Sequence, residues 1–103
     1  MKLENYVLNV VLTTYKNVTY DSNHPRNIER NELFGYSDKP AHGVVSEIMV
    51  CQSNAGYYIG TLQFDSELNH WFPYSRDSED YYPDERTAKS ALDNGTWFIR
   101  DYI

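Results

Sequence analysis

The sequence predicts an α+β domain, a small and mostly antiparallel sheet of four to five strands with one main helix packed across it. Three observations carry that reading. β-branched and aromatic residues dominate several short runs. Two of those runs flank the turn signal Ser53-Asn54-Ala55-Gly56. A single amphipathic run at residues 84–93 has helical spacing and both of its end signals.

In chain order, residues 5–15 read Asn-Tyr-Val-Leu-Asn-Val-Val-Leu-Thr-Thr-Tyr. Tyr6, Leu8, Val10 and Leu12 alternate along one side, which predicts a strand. Val18, Thr19 and Tyr20 extend it or return as a short hairpin. Residues 21–43 are polar and punctuated by Pro25, Gly35, Pro40 and Gly43. They read as a long loop, with one short helical turn around Ile28, Leu33 and Phe34. Residues 44–52 are apolar and β-branched, and pair as a hairpin with the strand Tyr57-Tyr58-Ile59-Gly60-Thr61-Leu62-Gln63-Phe64. A second turn, residues 65–69, leads into a fourth strand beginning at His70-Trp71-Phe72-Pro73-Tyr74, with Pro73 confined to a sheet edge or strand end. The helix run places Pro83 at its first position, Asp84 and Glu85 in the first turn, and Ala88, Ala91 and Leu92 on one stripe. Asn94-Gly95 stops it, and residues 96–100 read as a closing strand.

A length of 103 residues suits one domain, residues 1–103. No run approaches the roughly 20 apolar residues of a membrane span, so no membrane partner is expected. The opening Met1-Lys2-Leu3-Glu4-Asn5 does not read as a signal peptide. Cys51, the single cysteine, excludes an internal disulfide and sits in an apolar run as a buried thiol. Together these give the expectation of a cytoplasmic protein.

Ten tyrosines and a net charge of −6 set the composition apart. The charge is local. Residues 65–85 hold seven acids, Asp65, Glu67, Asp77, Glu79, Asp80, Asp84 and Glu85, against Arg76 alone, whereas the segments on either side nearly balance. The same stretch contains Trp71, Tyr74, Tyr81 and Tyr82. It reads either as a solvated acidic loop or as an acidic, aromatic-rich binding surface for a basic protein. Acids two residues apart in extended chain, such as Asp65/Glu67 and Asp77/Glu79, lie about 6.6 Å apart on one side. That is close to the spacing of successive phosphates, so a partial imitation of nucleic acid is expected. Direct nucleic-acid binding is not expected, because the aromatics are interleaved with acids and not with bases.

Little points to catalysis. There is no phosphate-binding Gly-rich loop, nucleophile elbow or paired-Cys motif. His24, His42 and His70 are too dispersed to suggest a metal site, and no cofactor is expected. The alternative to a binding protein is a small ligand-binding or hydrolytic domain using His70 and nearby carboxylates. Self-association through an exposed strand edge, as a homodimer, is a third expectation.

The later half carries a recognisable layout: Gly56-Tyr57-Tyr58-Ile59-Gly60, then Trp71-Phe72-Pro73-Tyr74-Ser75-Arg76-Asp77-Ser78, then Tyr81-Tyr82-Pro83-Asp84-Glu85-Arg86-Thr87-Ala88 with Leu92. It resembles small acidic proteins encoded by bacteriophages, over about 40 residues of the chain. Pro83 stands near the point where those proteins place a Thr helix cap. The resemblance implies a stoichiometric, non-enzymatic inhibitor of a host defence system, of anti-CRISPR or anti-restriction type. Its partner would be a basic host protein with a nucleic-acid-binding groove: a CRISPR–Cas effector, a restriction enzyme, another nuclease or RNA polymerase. It brings no catalytic residues.

Overall fold

The computed structural model describes residues 15–100, which form α1 (Pro25–Phe34), β1 (Met49–Ser53), β2 (Gly56–Asp65), β3 (His70–Arg76) and α2 (Glu85–Asn94). The class is α+β. The sheet is antiparallel and three-stranded, in the order β1-β2-β3. The predicted strand at residues 5–15 lies almost wholly outside the described residues. The predicted closing strand at residues 96–100 makes a single bridge, Ser78 with Ile99, so the described sheet has three strands where four to five were expected.

Residues 44–52 form an interrupted strand. Val45 bridges Gln63, and the Ser46 amide donates to Leu62 O. The Glu47 amide then turns away to Thr19 O, and pairing resumes at Met49 against Gly60. β2 is the central strand. Alternation turns Tyr58, Leu62 and Phe64 to one side, where they join Ala41, Val44, Cys51 and Trp71 in the buried core. Tyr15, Val18, Tyr20 and Met49 pack against that cluster. The fully buried Ile59 lies on the other side of β2. β3 continues to Arg76, two residues beyond the predicted start segment, and a bulge near Thr61/Leu62 accommodates Pro73. At Gly60 the strands run so close that an added Cβ would collide with the Ser75 carbonyl.

Two ten-residue helices replace the single one expected. α1 occupies part of the stretch read as a loop. Its start signals are present: Pro25 opens it, and His24 caps it by accepting the Arg26 amide on Nδ1. The apolar stripe is missing, because α1 buries Asn27 and Asn31. The Asn27 side chain pairs with the outer edge of Val45, accepting its amide at 2.8 Å and donating to its carbonyl at 3.0 Å. An amide side chain thus acts as the next strand's backbone would, satisfying a sheet edge that would otherwise lack partners. α2 starts one residue later than expected. Asp84 is its N-cap, accepting the Thr87 amide at 2.7 Å, so Pro83 lies outside the helix. Ala88 and Ala91 are buried as α2 packs on β1 and β2, and Gly95 closes it with φ 65°. No helix among the described residues is long and apolar enough to cross a membrane.

Candidate functional site

Residues 77–84 leave β3 and arch over the start of β2 before entering α2. The arch is tied to β2 at both feet, and the closing segment pairs with it through Glu79 N to Phe98 O and Arg100 N to Asp77 O. At one foot, the Asp77 and Ser78 amides both donate to Ile59 O. Ser78 is fully buried, and its Oγ accepts the Ile59 amide at 3.0 Å while donating to Asp80 O at 2.9 Å. At the other foot, Tyr57 and Tyr82 exchange both backbone hydrogen bonds. Gly56 permits this approach, since a Cβ there would come within 2.8 Å of Tyr82 O.

Arg76 ties the span together. Its Nη1 donates to the carbonyls of Ser78 and Glu79 at 3.0 and 2.9 Å, and its guanidinium stacks on Tyr81 at 4.7 Å. Tyr81 in turn meets Tyr58 edge-on at 5.9 Å, so an exposed ring is held from below by a buried one. The one base of the acidic segment is therefore committed to backbone and ring.

What the arch presents is negative. Glu79, Asp80, Asp84 and Glu85 are exposed, and Asp77 is half-buried. Among the described residues the only ion pair is Lys89 with Asp93 on α2, at 2.7 Å, and it involves none of these five carboxylates. The amide of Thr87 holds the Asp84 carboxyl below the usual carboxylate range. Burial, reinforced by the charge of Asp80, pushes the Tyr82 hydroxyl up.

The other predicted contact residues separate from this group. Asp65 and Glu67 sit in the β2–β3 turn, at the opposite end of β3. Seven strand residues put the two acidic groups about 20 Å apart. Asp65 Oδ1 accepts the amides of Glu67 and Leu68 at 2.9 and 3.1 Å, so it is tied into its own turn. Trp71, expected as a surface anchor, is a core residue packed on Phe64 at 5.2 Å and Tyr20 at 6.4 Å. Its inward turn follows from pairing with Phe64, which shares its side of the sheet. Tyr74 is half exposed, on a third part of the surface, beneath Arg26 at 5.5 Å. Sequence reasoning missed Ser78 and Arg76 as the residues that shape the arch. A small hydroxyl between two acids at the end of a strand was the available signal.

His70 Nε2 is buried with no hydrogen-bond partner among the described residues, and the ring packs on Phe72 at 5.0 Å. Among the described residues no three His, Cys, Asp or Glu side chains converge as metal ligands. Burial pushes the Cys51 thiol up to about 12, which keeps it a protonated, inert core residue. No known protein family, characterised protein or solved structure matches this chain in comparison.

Proposed function

We propose that the chain is a non-enzymatic binding protein that engages a basic, nucleic-acid-processing host protein through the arch at residues 77–85, as phage-encoded inhibitors of host defence do. One observation carries the reading: five carboxylates fall within nine residues of a segment tied to β2 by backbone hydrogen bonds, and three of them, Glu79, Asp80 and Glu85, are exposed and make no ion pair among the described residues. A pre-fixed loop loses little conformational freedom on binding. Exposed negative charge accelerates encounter with a positive groove. Tyr81, held by Arg76, supplies a rigid aromatic contact at the centre of the charge. The Asp77/Glu79 spacing supports partial imitation of a phosphate backbone. The assignment to a phage-type inhibitor rests on the sequence resemblance.

The test is inhibition of DNA cleavage by a panel of purified CRISPR–Cas effectors and restriction endonucleases, with duplex DNA as competitor. One or more enzymes should be inhibited stoichiometrically, with an association rate that falls as salt rises. The double variant Glu79→Lys/Asp80→Lys should lose inhibition. Glu32→Lys/Glu67→Lys changes the net charge equally, at exposed sites away from the arch, and should retain most of it. Equal loss in both variants, or an unaffected panel, overturns the proposal.

A further inference from the structure

A polar groove of about 290 Å³ lies between α1 and the far end of β2 and β3. Arg30 and His42 stand on one wall, Gln63 and Asp65 on the sheet, with Phe72 beside them. Two opposite charges thus line one small groove, yet they form no ion pair. Each is held by its own surroundings. The Arg30 side chain lies over Gly43, where an added Cβ would come within 3.0 Å of Arg30 Nε, and the backbone there has φ +87°. Asp65 is held through Oδ1 by two turn amides, leaving its second oxygen outside those bonds. Among the described residues no hydrogen bond or ion pair engages the half-buried Arg30 guanidinium. The Ser66 amide donates to His42 Nδ1 at 3.1 Å, which leaves Nε2–H as that ring's donor.

From this arrangement we infer that the groove binds a small zwitterion, an α-amino acid with an apolar side chain. The carboxylate would be taken by Arg30 with support from His42, the ammonium by Asp65, and the side chain would lie on Phe72. The volume is at the small end of ligand pockets, which suits one amino acid. A simple anion would meet the Asp65 carboxylate, and a simple cation would meet Arg30. Only a ligand carrying both charges satisfies both walls. The site is distinct from the arch and independent of the reading given for it.

The experiment is a titration of the isotopically labelled full chain with leucine, phenylalanine, acetate and ethylamine, each to about 10 mM. The expected result is saturable shifts of the Gly43 amide and the Gln63 side-chain amide with an amino acid and not with acetate or ethylamine. Asp65→Asn preserves the oxygen that holds the turn, and Arg30→Gln lies on an already formed helix. Each should weaken binding at least about tenfold, with the amide spectrum otherwise unchanged. No saturable shift with either amino acid, acetate binding as tightly as leucine, or variants that bind as the parent does would each overturn the inference.

Discussion

β3 has an acidic group at each end, and the two groups use their carboxylates differently. In the β2–β3 turn, Asp65 accepts two backbone amides that the chain reversal leaves without strand partners. In the arch, the corresponding work is done by others: Ile59 O takes two amides, Ser78 Oγ takes a third polar group, and Arg76 takes two carbonyls. The arch carboxylates of Glu79, Asp80 and Glu85 are left to solvent, while Asp84 caps α2. A count of charges along the sequence treats these acids alike. The difference between a carboxylate that holds its own loop and one that faces outward is a difference in which other groups satisfy the backbone.

Three experiments break or sharpen that contrast. The largest effect belongs to Ser78→Ala. It removes a buried hydroxyl that serves Ile59 N and Asp80 O, so unfolding by denaturant should show a loss of about 2 kcal/mol. The arch should also loosen, seen as faster amide exchange at residues 79–82. A loss within about 0.5 kcal/mol would mean the arch does not depend on its buried foot. Next comes a paired comparison. Asp65→Ala should cost about 1 kcal/mol because two turn amides lose their acceptor, whereas Asp80→Ala should leave the thermal midpoint unchanged. Equal costs would erase the distinction between the two acidic groups. The smallest effect is a pH dependence at Asp84. Its folded pKa lies below its unfolded one, so the cap's contribution is fully present above the unfolded value near 3.9 and is lost as pH falls through the folded value. The parent should therefore lose part of its advantage over Asp84→Ala on acidification below about pH 4. A difference between the two that stays constant down to pH 2 would remove the charged cap from the account.

The elements most legible in the sequence were those with a two- or 3.6-residue apolar repeat and a turn signal. Tyr57 to Phe64, the start of β3 and the stripe of α2 all met that condition. α1 did not, because its inward positions are Asn27 and Asn31. Buried amides look like loop residues until their partners are known, and the partner of Asn27 is the edge of Val45, 18 residues away. The same limit applies to the candidate site. The sequence located the acids and tyrosines, but it placed Trp71 on the surface and joined Asp65 and Glu67 to a group at the other end of a strand. The Arg30 groove left no local trace, because its walls come from α1, the Gly43 turn and two strands.

By itself the sequence determined the α+β class, the central hairpin, the apolar stripe and Gly95 stop of α2, and the concentration of negative charge between residues 65 and 85. Those follow from local rules: side-chain periodicity, turn chemistry and residue type. Tertiary structure alone decided which carboxylates remain unengaged, which aromatic ring goes inside and which opposite charges share a groove without meeting. Each of those depends on hydrogen-bond donors and acceptors brought together from distant parts of the chain, and satisfying buried polar groups is a condition on the whole fold.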